Sequence, residues 1–467
     1  MRCPLPARGV IFPGNSPLQK RDDRMNPSPR SYLIIGAGVA GLAAAEAIRT
    51  QDLQARVTII HDEPHGYYSR PALAYYLSRE IPEKQLFPFD GQRFIQLNVH
   101  SMSTRVVRLL PMEHQVELHT GAKLDYDAVL LATGSQAVMP PLPGIDLDGV
   151  VKLDDLQDTY RILRLCRRAR SAVVIGGGIT ALEIVEGLVA NKVKVHYLLR
   201  GDRYWSNLLD ETESHLIEDR LRRKGVTIHY HCEAEEILGK KGKVTGVRTK
   251  DGKVIPCGMV GIAIGVRQRT ELAAQAGAAL DRAVLVDQTM QTSLDGVYAA
   301  GDIAQVYDPL TGKAQLDVLW NPAREQGWVA GWNMAGKSYS YRKKTALNIT
   351  RLAGITTTFI GLISQGSRDL DTMAISRGDS ETWHSLPQAL VAEKQCEINR
   401  IRLLLNDRRL IGAVIMGDQS LSYPIQNIIS QERDLSPIWD RLLQPNSSIY
   451  EIISNYWQQY DHGGQHA

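Results

Sequence analysis

The chain is poor in cysteine, and no two of its five cysteines lie close together: they are Cys3, Cys166, Cys232, Cys257 and Cys396 in 467 residues. That spacing excludes a redox dithiol, a zinc knuckle and an iron–sulfur ligand set, and it predicts no metal site. Cys166 and Cys257 sit in apolar stretches, which suits small core residues. No run of about twenty apolar residues occurs, because Glu183 and Glu186 interrupt the apolar stretch after Gly176, and a membrane-spanning helix is therefore excluded. Neither sign of charge dominates. Lys and Arg number 54 against 51 Asp and Glu, a scattered net charge of +3, so nucleic acid is not indicated as a partner. Residues 1–30 are rich in Pro, Arg and Asp and lack the apolar core of a signal peptide. They read as a disordered tail, with Met25 as an alternative start, and the expected location is cytoplasmic.

What the chain does have is one phosphate-cradling pattern, twice. Tyr32-Leu-Ile-Ile leads into Gly36-Ala-Gly38-Val-Ala-Gly41, and Ala172-Val-Val-Ile leads into Gly176-Gly-Gly178-Ile-Thr-Ala181. Each copy is an apolar β-branched run, a glycine turn and a small-residue helix start, the context that gives a G-x-G-x-x-G/A match its meaning. The first glycine permits the tight turn, and the second lets backbone N–H groups approach a pyrophosphate. The third position allows helix and strand to pack closely. The helix N-terminus then faces the anion with about half a positive charge. Two such turns imply two dinucleotides, and hence electron transfer between them.

Each turn has a matching downstream element. Tyr126-Asp-Ala-Val-Leu-Leu-Ala-Thr133-Gly134 reads as a buried strand ending in a small-residue turn, and Met259-Val-Gly-Ile-Ala-Ile-Gly265 occupies the same place in the second half. Gly134 lies 98 residues beyond Gly36, and Gly265 lies 89 beyond Gly176. Both halves carry a β-rich segment before that strand: His114–Thr120 with a turn at Gly121, and Lys243–Thr249 with a turn at Asp251-Gly252. Two homologous units, one inserted in the other, fit this layout.

A third segment, Gly296-Val-Tyr298-Ala-Ala-Gly301-Asp302, reads as a strand that delivers an acid to the start of a helix. Such a carboxylate can accept from backbone N–H groups and from sugar-chain hydroxyls. With both glycine turns and Thr133-Gly134, residues 31–336 resemble the FAD/NAD(P)-dependent pyridine nucleotide oxidoreductases. The resemblance implies an α/β fold with two Rossmann-like units of the three-layer ββα type. FAD is expected on residues 31–149 and 269–340, NAD(P)H on the inserted residues 150–268, and an α+β domain over 341–467. It further implies that Gly36, Gly38 and Gly41 bind FAD, that Gly176, Gly178 and Gly265 serve NAD(P)H, and that Asp302 holds the ribityl chain.

Within that family the stretch after the first unit's second strand decides the branch. Disulfide reductases place a cysteine pair there, whereas this chain reads Tyr67-Tyr-Ser69-Arg70-Pro71-Ala-Leu73. That stretch looks like the rubredoxin-reductase, ferredoxin-reductase and nitrite-reductase branch, with Arg70 at the flavin. Electrons are then expected to leave the flavin directly for a rubredoxin, a ferredoxin or another iron–sulfur protein. A subunit or sensor of a larger complex and a direct NAD(P)H oxidase are the alternatives. Tyr75 falls where ferredoxin reductases often carry a lysine. Hydride transfer needs positioning more than acid–base groups, so no catalytic side chain is expected.

The remaining expected contacts follow strand ends. Asp62 or Glu63, with Asp62 favoured, should take the adenosine ribose of FAD. Arg200 and Arg203, where an NADH enzyme usually carries an acid, suit the extra phosphate of NADPH. Glu183 matches a family glutamate at the nicotinamide amide. In Trp320-Asn321-Pro322-Ala-Arg-Glu-Gln326, Asn321 is read as the cap and Pro322 as the first helical residue, with Gly336 closing the helix. Its N-terminus is expected at the flavin pyrimidine edge, with Gln326 among the cofactor-binding residues. The last third shows a hairpin, Ile401–Leu405 with Leu410–Met416, followed by helical spacing over 424–460. It resembles the small sheet domain that closes relatives against the flavin, often as a homodimer surface.

Overall fold

The computed structural model describes residues 29–88, 91–309, 312–363, 399–406, 408–444 and 448–461. Met25, Cys3, Cys396 and nearly all of the expected N-terminal tail lie outside the described residues.

The first half of the duplication builds a five-stranded sheet. Its order is Val297–Ala299, Ala128–Leu131, Ser31–Ile35, Arg56–His61 and Val99–Ser103, all parallel. The second half builds the same sheet from Thr227–His229, Lys194–Leu198, Ser171–Ile175, Met259–Ile262 and Val150–Val151, again all parallel. Central strands are buried on both faces, as parallel sheets require: Ile34, Val129, Leu130, Val173 and Val260 are all inaccessible to solvent. Each such side chain contributes about 2 kcal/mol. A three-stranded antiparallel sheet forms the outer layer of each half, Val106–Leu110, Gln115–Leu118 and Lys123–Asp125 in one, and Ala234–Lys240, Lys243–Thr249 and Val254–Pro256 in the other. The strand Val297–Ala299 completes the first sheet from beyond the second unit, so that unit is an insertion. The chain crosses between the units on a two-stranded ribbon, Ser135–Ala137 against Val266–Gln268.

The helix Val39–Gln51 packs on the helix Trp320–Met334 closely enough that side chains must vanish from the contact. A Cβ on Gly327 would lie 2.2 Å from the Ala40 carbonyl oxygen, and one on Gly331 would lie 2.4 Å from that of Ala44. Both helices thus present their N-termini at one end of the first sheet.

The C-terminal sheet runs Leu347–Leu352, Ile355–Gly361, Arg409–Met416 and Arg400–Asn406, antiparallel throughout. Its two faces have different partners, as the alternation of a strand dictates. Ala413 and Ile415 face the helices Ser422–Ser430 and Ile449–Asp461. Val414, Met416 and Phe359 join the core of the inserted unit with Trp205 and Leu208, and the Phe359 ring meets Trp205 edge-on at 5.5 Å. Arg402 donates to the Leu208 carbonyl at 2.7 Å and to Glu213 at 2.9 Å, and Arg400 donates to Asp210 at 2.6 Å. The sheet expected to close against the flavin is therefore fastened to the inserted unit. The face of the C-terminal helices that meets the sheet is structural.

Candidate functional site

A cleft of about 800 Å³ opens at the C-terminal ends of the first sheet's strands, where ligands of open α/β sheets bind. Gly36, Gly38, Asp62, Glu63, Arg70, Thr133, Gly134, Gly301 and Asp302 all line it. These nine residues span 267 positions of sequence, and the sheet order alone brings them together.

The turn geometry follows from sterics. Gly36 has φ +120°, and a Cβ there would lie 2.1 Å from the Ala132 carbonyl oxygen. Gly41 could not carry a Cβ either, since it would sit 2.1 Å from the Gly36 oxygen, while Gly38 faces open space. Gly38 starts the helix Val39–Gln51 with no side-chain cap, so the first helical N–H groups point into the cleft unclaimed by a side chain. The second turn repeats this: Gly176 has φ +145°, its Cβ would meet the Ala263 oxygen at 2.0 Å, and Gly178 begins the helix Ile179–Ala190 uncapped. By contrast, Asp155 caps Leu156–Cys166, and Asp210 with Glu213 forms a capping box on Glu211–Arg223. The two glycine turns fit a diphosphate on open space, backbone donors and the absence of Cβ atoms.

The acidic residues sort themselves. Asp62 is exposed and pairs, among the described residues, with Arg105 at 3.1 Å. Glu63 is engaged by the Arg70 guanidinium and by the Tyr68 hydroxyl at 2.6 Å. Arg70 also donates to the Asp154 carbonyl at 2.9 Å, so this cation is held rigidly in the cleft wall. Asp302 accepts from the Ser135 hydroxyl at 2.6 Å. It stands in a turn before the strand Ala304–Asp308, not at the start of a helix, because that strand pairs with Lys313–Leu316. Gln326 is fully buried and accepts from the Gly301 N–H at 2.8 Å. It braces the Gly301-Asp302 turn from behind and does not line the cleft.

The helix expected from Pro322 begins earlier, at Trp320, with Leu319 as its cap residue. Leu319, Trp320 and Ala323 line the cleft, so its N-terminus does point there. Gly336, at φ +86°, closes it by donating to the Asn333 carbonyl at 3.0 Å. Glu183 lies on the second unit's helix, outside the cleft wall, close to Tyr75. Burial and that carboxylate together push the Tyr75 hydroxyl well above its ordinary range. Arg200 is exposed after the strand Lys194–Leu198, whereas Arg203 turns back on Asp202 at 3.0 Å and on the Ser206 carbonyl. Gly265 is exposed at φ +126°.

Sequence reasoning missed Arg269 and Asp154. Thr133 donates to the Arg269 carbonyl at 2.9 Å, and the Arg269 guanidinium lies 3.7 Å from the buried Asp154 carboxylate. These residues sit where the chain enters and leaves the inserted unit. Their signal was a charged residue shortly after Val150–Val151 and directly after Val266–Gln268, and nothing in the sequence says that these two segments meet. No cysteine lies between Cys3 and Cys166, so the cleft segment has no thiol. Cys257 is buried. Cys166 is half-buried in a groove elsewhere, and burial pushes its thiol up to about 11. Among the described residues no cluster of His, Cys, Asp or Glu could hold a metal, and no helix is long and apolar enough to cross a membrane.

Two coupled dinucleotide units with a cleft of this kind define a two-nucleotide oxidoreductase. The chain belongs to the pyridine nucleotide-disulphide oxidoreductase family, whose model matches residues 30–327. It is an NAD(P)H oxidoreductase, and its cofactors are FAD and NAD(P)H. It is 35% identical over 410 residues to the ferredoxin–NAD(+) reductase component of the biphenyl dioxygenase system of Paraburkholderia xenovorans, covering 86% of this chain and 97% of that protein. It is 27% identical over 411 residues to the nitrite reductase [NAD(P)H] of Bacillus subtilis, covering 87% of this chain. The match spans about half of that relative's length, 48%. A ferredoxin reductase crystal structure from Rhodopseudomonas palustris superposes with a TM-score of 0.77 at 23% identity, covering 90% of this chain and 99% of that one, which shows the shared fold.

Proposed function

We propose that this enzyme carries electrons from NAD(P)H through FAD to a small iron–sulfur protein of the ferredoxin or rubredoxin type. The observation that carries this reading is the flavin cleft built without a thiol, which leaves the flavin itself as the electron exit. The biphenyl dioxygenase relative, a ferredoxin–NAD(+) reductase component, supports it.

Bound FAD would supply hydride acceptance and single-electron release, and the residues of this chain arrange it. Gly36, Gly38 and Gly41 admit the diphosphate to the N-terminus of Val39–Gln51. Asp62 is the ribose acceptor, because Glu63 is already committed to Arg70 and Tyr68. Asp302, held by Ser135, faces the sugar chain, with Thr133 and Gly134 shaping the wall beside it. The N-terminus of Trp320–Met334 would add positive potential to the cleft, which favours negative charge there. Gly176 and Gly178 seat the coenzyme diphosphate, Glu183 fixes the nicotinamide amide, and Gly265 leaves room above the second sheet. Arg200 and Arg203 favour the phosphate of NADPH. A homodimer through the C-terminal domain is compatible with this arrangement.

The test is direct. The purified protein should be yellow, contain one FAD per chain, and bleach with NAD(P)H in the absence of air. Rates with ferredoxin and rubredoxin should exceed the rate with oxygen at least tenfold. A colourless protein that refuses added FAD refutes the flavin reading, and equal rates with oxygen refute the carrier.

A further inference from the structure

Behind the flavin end of the cleft lies a second, much smaller space. Val318 and Leu319 line the cleft on one side and, on the other, a cavity of about 30 Å³ that Asp317, Lys343, Asn348 and Phe359 also line. By volume it has room for about two water molecules, and its polar lining suits them. Asp317 is buried at 7% exposure, two residues before the cap of the helix that points at the cleft. Val318 and Leu319 thus stand between this cavity and the cleft.

The groups around this carboxyl oppose one another. The Tyr341 hydroxyl donates to Asp317 Oδ2 at 3.4 Å. Lys343 lies 3.6 Å from the Asp308 carboxylate, both nearly buried. Glu325 adds negative potential from the helix, itself paired with Lys344 at 2.7 Å. Burial raises the Asp317 carboxyl, Lys343 and Tyr341 pull it down, and Asp308 and Glu325 raise it again, to about 6. It is therefore ionised at neutral pH but close to neutrality, so a new negative charge nearby would protonate it.

We infer that Asp317 is a redox-linked proton site, gaining a proton when the flavin receives hydride and losing it when the electrons depart. This rests on the reading that FAD fills the cleft. Hydride from NAD(P)H would bring two electrons and one proton into the cleft and leave NAD(P)⁺, a net gain of one negative charge there. The Asp317 carboxylate then takes one proton from solvent through the small cavity and becomes neutral. When two oxidised iron–sulfur proteins each accept one electron, the proton that arrived with the hydride leaves for water and the carboxyl returns its own, two protons for two electrons. Asp317 is a positioning and tuning residue, since it touches neither substrate nor reacting atoms.

The experiment uses the FAD-loaded enzyme, reduced stepwise in a weakly buffered solution near pH 7 with a pH-indicating dye. The wild type should take up more protons per flavin than Asp317→Asn. Its redox infrared difference spectrum should show the carbonyl band of a newly protonated carboxyl, lost in Asp317→Asn. Tyr341→Phe keeps the carboxyl but removes a donor to its charged form, so the extra uptake should move to higher pH. Equal proton counts and spectra in wild type and Asp317→Asn overturn the inference. If Asp317→Asn does not fold, a Tyr341→Phe profile identical to wild type overturns it instead. A preparation that binds no flavin would fail earlier and refute the cofactor reading.

Discussion

The two glycine turns are near copies in backbone but differ in their surroundings. At the first, Gly36 and its neighbours are half-buried, and the wall is completed by Thr133–Ser135, Gly301-Asp302 and the N-terminus of Trp320–Met334. At the second, Gly177, Arg200 and Gly265 are exposed, and the helix Ile179–Ala190 packs instead on Leu77, where a Cβ on Gly187 would lie 2.4 Å from the leucine side chain. The same phosphate turn can thus serve a resident cofactor or an exchanging one. The difference lies in what other segments bring to its rim.

Breaking each turn in the same way should expose that difference most strongly. Gly36→Ala and Gly176→Ala both force a Cβ onto a carbonyl oxygen at positive φ, and each should destabilise its unit by about 3 kcal/mol or more. Only Gly36→Ala should lose bound FAD, read as flavin absorbance per chain. Gly176→Ala should stay yellow yet bleach at least 100-fold more slowly with NAD(P)H. If both lose FAD equally, the two sites are not independent.

A smaller effect sharpens the cleft side. Asp302→Ala removes a charged acceptor that Ser135 holds, and FAD retention should weaken about 10- to 100-fold, measured by dilution or dialysis. Asp62→Ala should weaken FAD by less, about tenfold, and Glu63→Ala should act through the loosening of Arg70.

On the exposed side, Arg200→Ala should raise the Kd for NADPH about tenfold while leaving NADH within a factor of about two. Asp202→Asn should improve NADPH binding by a few-fold, because it releases Arg203 from its neighbour.

The acid side of the stability profile gives the last check. Asp317 has a folded-state pKa raised to about 6, above its unfolded value near 3.9. Its contribution to stability is therefore fully present below about pH 4 and is lost as pH rises through about 6. Asp317→Asn should flatten that part of the curve and unfold at a higher temperature than wild type at pH 8, as scanning calorimetry of both would show.

Much of the fold was legible because its signals are local. The apolar runs before Gly36 and Gly176, and the turns at Gly121 and Gly252, each depend on residues within a few positions of one another. The branch within the family was equally legible, since a missing cysteine is a fact of sequence. Helix starts were less so. Asn321 and Pro322 have strong terminal preferences, yet Trp320 leads because the packing of Gly327 and Gly331 on Ala40 and Ala44 fixes where the helix lies. Gln326 was read as a cofactor ligand because it stands in the right segment, but its amide turns inward to Gly301.

By itself, the sequence determined that two dinucleotide turns exist, that no thiol follows the first of them before Cys166, and where their strands run. Those properties depend on backbone sterics and short-range pattern. Only the tertiary structure decided that Glu63 is spent on Arg70, that Arg269 meets Asp154, and that Asp317 backs onto the cleft. Each of these joins residues from different elements, and burial and electrostatic balance arise only once the chain has closed around them.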